Sequence, residues 1–464
     1  MKLRNHLKTR KFRNDERGVT MVLMAIAMVS LLAMVALAID ITTLYVAQSQ
    51  TQSAADAAAL AGAKMFVTSG FTSVQTAGPP PVLQSDVCQN GGPGNSAAAN
   101  RQAEAAAAQN NVAGQAATIQ TIACDFAQPG NPRITVTVQR TALPTFFARI
   151  WNGAASNVTA TATAEAYNAS GLNAPIQVES VKPWLVPNCD PTHTAAGFTN
   201  PNCVVAGGQS SYFIDPATGA VANGGQFIGR TITFQRTNLG SSPKPPSITA
   251  EGYYPIDIPI NPPTAACPDT GAVSCNQVGG DNYRDNIACA SKFRFSCGDA
   301  VGIGQNVTIY NAGGTDSRTR QGVDCLIHGD PGGGILGAGQ DAFTPTGGGP
   351  PITISAGYNN PNPTLAAGSP LLNISRSDSV VTVPVYDGGT YDGGTNLFCS
   401  LPGPVCSPTA TIRGFLQLGI TQSAGGADQF AAVILNAVGC NPGASGNPVS
   451  GGDISAIPVR LIHN

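Results

Sequence analysis

The hydrophobic pattern of the chain begins with one long apolar run. From Val19 to Ile39 the residues are apolar, with Thr20 and Ser30 as the only polar interruptions. At about 1.5 Å per residue, a helix of this length spans roughly 31 Å, the thickness of the hydrocarbon core of a bilayer. The run therefore predicts a transmembrane helix over residues 19–39.

A basic segment precedes this run. Residues 1–17 contain seven Lys and Arg against Asp15 and Glu16, whereas the rest of the chain holds 17 basic and 24 acidic residues. Because Lys and Arg accumulate on the cytoplasmic side of membrane helices, residues 1–18 are predicted to be a cytoplasmic stub. The chain is then a single-pass membrane protein, and the residues after Asp40 lie outside the cytoplasm. Its acidic remainder offers no basic surface for nucleic acid.

Two processed forms are alternatives to an uncleaved anchor. Ala36-Leu37-Ala38 has the A-x-A form of a signal-peptidase site, although the apolar core of a signal peptide usually has only about 7–15 residues. A prepilin-type cut after Gly18 is the other alternative, but the fifth position beyond it holds Leu23 and not Glu.

The helical pattern continues past the membrane in small and polar residues. No Gly or Pro occurs from residue 19 to residue 61, so the membrane helix can run unbroken into an Ala-rich helix over residues 40–67. From Asp40 onwards, one face recurs at steps of four and three, through Leu44, Ala47, Thr51, Ala54, Ala58, Ala61 and Met65. Such small side chains let a partner helix approach closely. The spacing equally suits a helix that lies on its own downstream domain, and both interpretations stay open.

Residues 68–170 are predicted to form a small α+β unit. Residues 69–95 have the Ser, Gly, Pro and Asn content of a linker, and Ser96 is placed to cap a second Ala-rich helix over residues 97–110. Alternating residues then predict a pair of half-buried strands, "PRITVTVQR" and "NVTATATAEA".

From residue 171 to residue 464 the chain alternates short apolar runs with Gly- and Pro-rich loops, which predicts a β-rich domain of unspecified topology. Candidate strands lie at residues 230–236, 352–355, 380–387, 412–420 and 454–462. The fold class is therefore α+β. The content of 54 Gly and 35 Pro, with only 11% charged residues, agrees with a loop-rich extracytoplasmic protein.

The cysteines agree with an oxidising compartment, because all of them follow the membrane segment. They are Cys88, Cys124, Cys189, Cys203, Cys267, Cys275, Cys289, Cys297, Cys325, Cys399, Cys406 and Cys440. An even number of extracytoplasmic cysteines predicts a framework of up to six disulfides, whose connectivity cannot be deduced from order alone. Sequence proximity suggests the local pairs 267–275, 289–297 and 399–406.

No motif with recognisable chemistry is present. "GGGILG" (332–337) has dinucleotide-binding spacing, but it lacks the flanking strand and helix that such a site needs. Cys325 and His328 have the spacing of two metal ligands, yet disulfide cysteines near a surface His explain them better. The tandem "YDGGTYDGGT" (386–395) predicts two Asp-Gly turns, with a calcium-binding loop as the alternative. We therefore expect no enzyme activity, no cofactor, no metal and no small-molecule substrate.

The membrane run and its continuation resemble the N-terminal segment of TadG-like (TadE/TadG-like) proteins of the tight-adherence (Flp) pilus assembly system. The resemblance is strong over residues 16–66, and it rests on Arg17, Gly18, Asp40, Tyr45, Gln52 and the run from Asp56 to Ala63, which includes Gly62. Weaker similarity extends to the strand pair and to parts of the β-rich domain.

The resemblance implies a membrane-anchored, non-enzymatic structural or assembly component, similar to a minor pilin. Its partners would then be the inner membrane and other pilus-assembly or pilin-like proteins. The alternative is an anchored extracytoplasmic binding protein or adhesin, whose β-rich domain binds a ligand.

Overall fold

The computed structural model of the 464-residue protein describes most of the chain after the basic stub. The described residues are 16–73, 84–128, 130–143, 155–191, 212–237, 252–259, 275, 281–310, 317–328, 340–346, 348–357, 360, 377–387, 390–392, 397–400, 405–423, 428–451 and 455–462.

The helices are few and the strands are many. The helices are α1 (Glu16–Thr68), α2 (Gln84–Val87), α3 (Ala98–Gln109), α4 (Asn282–Ala288) and α5 (Arg318–Leu326), with short 3-10 helices at Phe71–Ser73 and Ala222–Gly225. The first strands are β1 (Asn111–Val112), β2 (Gln115–Ala116), β3 (Thr118–Asp125), β4 (Arg133–Leu143), β5 (Ser156–Ala166), β6 (Ile176–Glu179), β7 (Trp184–Pro187), β8 (Thr231–Arg236), β9 (Gly252–Asp257), β10 (Arg294–Ser296) and β11 (Ala300–Gly302). The remaining strands are β12 (Thr308–Ile309), β13 (Ala342–Thr346), β14 (Gly349–Ser355), β15 (Val380–Tyr386), β16 (Thr390–Asp392), β17 (Leu397–Ser400), β18 (Val405–Ser407), β19 (Thr409–Ser423), β20 (Gln429–Gly439), β21 (Val449–Ser450) and β22 (Val459–Ile462).

Helix α1 is one unbroken helix of 53 residues. It joins the predicted membrane segment to the predicted Ala-rich helix without an interruption, since no Gly or Pro lies between Gly18 and Gly62. The expectation of a long N-terminal helix followed by many strands and disulfides is thus confirmed.

The N-terminal unit is a helix pair on an antiparallel sheet. Its four strands have the order β22-β5-β4-β3, and α1 and α3 cover one face. Ile134, Val136 and Val138 are fully buried under the helices, while the alternating threonines lie on the opposite face. There the hydroxyls of Thr135 and Thr163 are 2.9 Å apart. Because successive side chains of a strand point to opposite faces of the sheet, the alternation of apolar residues and threonines determines which face packs against the helices.

This unit differs from the predicted strand pair in two respects. Strand β3 was not predicted, because its sequence "TIQTIACD" mixes polar residues into a strand that lies against α3. Strand β22 was expected in the β-rich domain, but it pairs with β5 and completes the first sheet. Such pairing across hundreds of residues leaves no local trace in the sequence. The division at residue 170 stays a prediction, and at least one strand crosses it.

Helix α3 begins one residue later than predicted, and Ser96 is not its cap. The N-cap residue is Ala97, which makes no side-chain capping hydrogen bond. Instead the side chain of Asn95 accepts a hydrogen bond from the Ala97 amide (3.2 Å).

The β-rich domain is built on a closed ring of six strands. They pair in the order β19-β15-β7-β9-β8-β20, and β20 pairs back onto β19. The β15–β7 and β7–β9 contacts are short, but each is a hydrogen-bonded ladder. Closing the ring leaves none of these six strands as a free edge. The core of this domain includes Trp184, which stacks on Phe430 with ring centroids 4.0 Å apart.

Four predicted strands, at residues 230–236, 352–355, 380–387 and 412–420, coincide with β8, β14, β15 and β19. The run at 454–462 is a strand only from Val459.

Disulfides connect distant parts of the chain. The bonds in the described part are Cys88–Cys124, Cys275–Cys325 and Cys297–Cys440, and no cysteine among the described residues is free. The suggested pairs 267–275 and 289–297 are therefore wrong, because proximity in sequence is not proximity in the fold. Cys399 lies opposite Cys406 in the β17–β18 register, so that pair stays a prediction. Cys203 and Cys267 lie outside the described residues.

Lys182 is a buried amine in the β-rich domain that the sequence did not reveal. Its side chain donates hydrogen bonds to the carbonyls of Cys289 (2.8 Å) and Asn286 (3.3 Å), at the C-terminal end of α4. Burial lowers the pKa of Lys182 to about 7, and the charge of Asp378 opposes that shift. The amine therefore caps a helix end whose carbonyls have no partner within the helix.

The lowered pKa of Lys182 gives a pH dependence of stability with a definite sign. The unfolded chain keeps the usual lysine pKa near 10.5, so between about pH 7 and pH 10.5 it binds more protons than the folded chain. Stability should therefore rise with pH in this window, by at most about 1.4 kcal/mol per pH unit from this group. Thermal midpoints of the detergent-solubilised chain at pH 7 and pH 9, compared with those of Lys182→Met, measure this slope. Equal slopes in the two proteins would contradict the assignment.

Candidate functional site

From Val19 to Leu32, α1 exposes apolar side chains all around the helix. Its large hydrophobic residues from Val19 to Ile41 are 44–75% exposed. The most apolar 18-residue window of the helix has a mean hydropathy of 2.8 and is 6% buried. Among the described residues, α1 is the one helix long and apolar enough to cross a membrane. Because exposing so much apolar surface to water costs about 25 cal/mol per Å², this segment is suited to lipid.

The second half of α1 packs on the protein's own domain. Of the residues on the small-residue face, Ala47, Thr51, Ala54, Ala58 and Met65 are buried, and Leu44 and Ala61 are partly buried. They contact β5, β4 and α3 of the same chain. Of the two interpretations left open by the spacing, the structure shows the helix lying on its own domain, so this face is not available to a partner helix.

Small residues on this face allow α1 and α3 to approach closely. A Cβ atom on Gly62 would lie 2.6 Å from Cδ1 of Ile134 and 3.3 Å from the carbonyl oxygen of Ala99. A Cβ atom at this position would displace the terminal methyl of the buried Ile134, so glycine fits where helix, helix and sheet meet. On α3 the facing residues are also alanines, including the fully buried Ala99 and Ala103. The run "DAAALAGA" is therefore a packing surface.

Two glutamines bind α1 to the edge of the sheet. Gln48 donates a hydrogen bond to the carbonyl of Thr159 (3.0 Å), and Gln52 donates to the carbonyl of Thr161 (3.4 Å) and to the carboxylate of Asp56 (2.8 Å). Strand β22 pairs with β5 only from Thr163 onwards. The glutamines thus occupy edge carbonyls of β5 that no strand reaches among the described residues. This protects an otherwise open sheet edge.

The C-terminal end of α1 is fixed to the β-rich domain by a buried polar network. The side chain of Asn436, on β20, accepts hydrogen bonds from the hydroxyls of Thr72 (3.1 Å) and Ser73 (3.0 Å). Its amide donates to Gln417 (2.9 Å) and to the carbonyl of Val67, in the last turn of α1. One side chain therefore joins the helix, the following turn and two strands of the ring.

The turn after α1 is tightly enclosed. Gly70 has a φ of +78°, and a Cβ atom there would lie 2.6 Å from Ile228 and 2.7 Å from the carbonyl of Leu435. The amide of Ile352 donates a hydrogen bond to the carbonyl of Ser69 (3.0 Å). The helix therefore ends inside the core of the β-rich domain.

The other residues of the family resemblance have different environments. Asp40 is 5% exposed and Tyr45 is 77% exposed, although both lie near the end of the apolar run. Gly18 has no neighbour within 4 Å of a Cβ atom built on it. Arg17 lies in α1, in a part of the helix whose side chains the structure does not describe.

The candidate binding residues named from the sequence lie partly inside and partly outside the described residues. Cys325 is bonded to Cys275, so it is not a thiolate ligand beside His328. Within the described part of the chain, no three His, Cys, Asp or Glu residues are grouped to hold a metal ion. The "GGGILG" run and half of the "YDGGT" tandem lie outside the described residues, so their interpretation stays a prediction.

Sequence reasoning missed Gln48, Asn436 and the turn at Gly70. The hydrogen-bonding partners of Gln48 and Asn436 lie far away along the chain, so the sequence around each residue does not indicate its contacts. Gly70 was visible only as one residue of a supposed linker.

A larger side chain on the packed face of α1 should destabilise the domain. Ala54→Leu keeps helix propensity, but it places three extra carbon atoms in a fully buried position and should cost about 1–3 kcal/mol. Ser53→Leu, at the exposed neighbouring position, is the matched control and should be nearly neutral. Thermal unfolding in detergent and the amount of protein in membranes would measure both. An unchanged midpoint in Ala54→Leu, with loss of a co-purifying protein, would show instead that this face contacts a partner.

Residues 18–65 match a family model described as putative Flp pilus-assembly TadE/G-like. The matched segment covers the exposed apolar run and the packed small-residue face of α1, and it confirms the resemblance over this part of the chain. No curated protein and no solved structure matches the chain. Helix α1, from Gly18 to Met65, is thus the part of this protein that is similar to Flp pilus-assembly proteins of the TadE/G-like family.

Proposed function

We propose that this protein is a membrane-anchored, non-enzymatic structural or assembly component of a tight-adherence (Flp) pilus system, similar to a minor pilin. One observation carries the proposal. The segment that matches the TadE/G-like family, residues 18–65, is a single helix that starts with lipid-suited side chains and ends in the core of the folded domain.

The mechanism follows from the continuity of this helix. A membrane protein tethered by a flexible linker lets its outer domain sample many positions above the bilayer. In α1 no Gly or Pro separates the apolar run from the packed face. The domain is therefore held at a fixed height and angle relative to the membrane, where other pilin-like subunits with apolar helices would meet it.

The proposed orientation places the N-terminus in the cytoplasm and the domain outside the inner membrane. The seven basic residues within residues 1–17 support the orientation through the positive-inside rule. The disulfides that follow the helix support an oxidising compartment for the domain.

Deletion and complementation would test the pilus function directly. Cells that lack the protein should lose Flp pilus filaments, and the full chain should restore them. A chain in which a cleavable signal peptide replaces residues 1–39 exports the same domain without its anchor, and it should not restore filaments. Electron microscopy counts the filaments, and intact disulfides in the exported form control for folding.

Two outcomes would contradict the proposal. Normal filaments in the deletion strain would remove the protein from pilus assembly. Normal filaments with lost adherence to surfaces would instead favour the anchored adhesin, whose β-rich domain binds a ligand.

The orientation has its own test. A periplasm-dependent reporter fused after Asn464 should be active, and the protein should stay with membranes after a high-salt wash. Replacing the basic residues at positions 4, 8, 10, 11, 13 and 17 with neutral ones should mix the two orientations, because the charge difference across the helix is lost. Recovery of a soluble chain that begins near Ile39 would mean that signal peptidase cuts after Ala38.

A further inference from the structure

The exposed surface of α1 stays apolar beyond the end of the apolar run. Ile41, Tyr45 and Val46 are 57%, 77% and 47% exposed, although they follow Asp40, the first charged residue after the run. Asp40 itself is only 5% exposed, since it lies on the face of the helix that the rest of the chain covers. The charge that ends the run in the sequence therefore does not interrupt the exposed apolar surface.

The hydroxyl groups along this stretch are satisfied by the helix itself. Thr42 and Thr43 each donate a hydrogen bond to the carbonyl four residues earlier in α1 (2.7 and 2.9 Å). Ser30, inside the predicted membrane segment, donates in the same way to the carbonyl of Ala27 (2.9 Å). Because hydrocarbon offers no water to a hydroxyl group, such a group needs a partner within the protein. The two threonines therefore suit a lipid environment as Ser30 does.

The exposed surface of α1 becomes polar immediately after Val46. From residue 47 to residue 53, all the exposed side chains of the helix are polar, and they are Gln48, Ser49, Gln50, Gln52 and Ser53. The change from apolar to polar surface thus lies about 10 Å, or two helical turns, beyond Ile39. The structure moves the end of the lipid-suited surface outwards by this distance from the end of the apolar run.

The length of the helix agrees with this later boundary. Arg17 is the last basic residue before the apolar run, and from Arg17 to Tyr45 a helix rises about 42 Å, at about 1.5 Å per residue. A bilayer with its headgroup layers is about 40–45 Å thick. Arg and Lys are enriched at the cytoplasmic ends of membrane helices, and Tyr is enriched at both membrane surfaces. These two residues are therefore spaced to lie at the two surfaces of one bilayer.

The folded part of the chain begins at the level of Tyr45. The neighbouring residue Leu44 is partly buried and packs against the core of the N-terminal unit, and Ala47 belongs to that core. At this level one side of α1 therefore contacts the protein's own domain, while the side that carries Tyr45 and Val46 is exposed.

We propose that α1 contacts the bilayer as far as Val46, with Tyr45 among the lipid headgroups of the surface nearer the folded domain. The ring of Tyr45 then lies beside the acyl chains and its hydroxyl reaches the polar layer. The N-terminal unit borders directly on the membrane, because its core begins at the same level. This inference rests on the membrane anchor of the proposed function, but not on the role in pilus assembly.

The depth of Tyr45 can be measured with an indole placed on α1. The purified full-length chain is reconstituted into vesicles of phosphatidylcholine and phosphatidylglycerol whose acyl chains carry bromine, a quencher, either near the carboxyl end or near the methyl end. Tyr45→Trp is compared with two control variants at exposed positions, Val29→Trp within the apolar run and Ser53→Trp on the polar surface. Subtracting the emission of the wild type, which contains the native tryptophans, leaves the signal of the added indole. Thermal midpoints equal to that of the wild type show that each variant is folded.

Bromine near the carboxyl end should quench Tyr45→Trp more than bromine near the methyl end does, because a headgroup position is close to the start of the acyl chains. Val29→Trp should show the reverse order, since it lies near the middle of the bilayer. Ser53→Trp should be quenched little by either lipid, because it lies about 12 Å further along the helix than Tyr45.

Two other results would overturn the inference and leave the anchor in place. If Val29→Trp is quenched but Tyr45→Trp is quenched as little as Ser53→Trp, the membrane contact ends near Ile39. If bromine near the methyl end quenches Tyr45→Trp more strongly, the residue lies among the acyl chains and not among the headgroups. If Val29→Trp is not quenched and the chain leaves the vesicles in an alkaline wash, the anchor itself is wrong and the inference falls with it.

Discussion

The architecture depends on how the last turn of α1 is held in the β-rich domain. Asn436 binds the helix, the following turn and strand β19 through Gln417 at the same time. A buried amide left without such partners costs about 1–3 kcal/mol, so the network strongly favours this arrangement over looser ones. The long apolar helix is consequently continuous with the core of the β-rich domain.

The small residues of α1 make this connection geometrically possible. A helix that lies on a sheet and beside another helix must be narrow on two sides. Alanine provides this with the highest helix propensity, whereas glycine costs about 1 kcal/mol relative to alanine in a helix interior. Gly62 lies where Ile134 and Ala99 approach most closely. The same composition that resembles a helix–helix seam in a membrane here serves contact within the chain, which is why spacing alone could not separate the two interpretations.

The features that could be predicted from the sequence are those with a local cause. The apolar run, the absence of helix breakers and the alternation in β4, β5 and β8 each act within a few residues, and they appear in the structure where the pattern places them. The features that could not be predicted join distant residues. The hydrogen bonds of Gln48 and Asn436 span 111 and 364 residues, and the Cys297–Cys440 bond spans 143. The ring of six strands likewise closes through pairings between strands that lie far apart in the sequence, so no single segment predicts it.

The late strand β22 has a consequence for the order in which the parts of the chain fold. Arg460 reaches the buried carboxylate of Glu165 from 295 residues further along the chain (2.7 Å). Until residues 459–462 have been synthesised, the sheet under α1 lacks a strand and Glu165 lacks one of its two arginines. Contacts of such long sequence separation form slowly, and the unfinished sheet edge is open to aggregation meanwhile. The N-terminal unit, although first to be translated, is therefore among the last parts of the molecule to reach its final form.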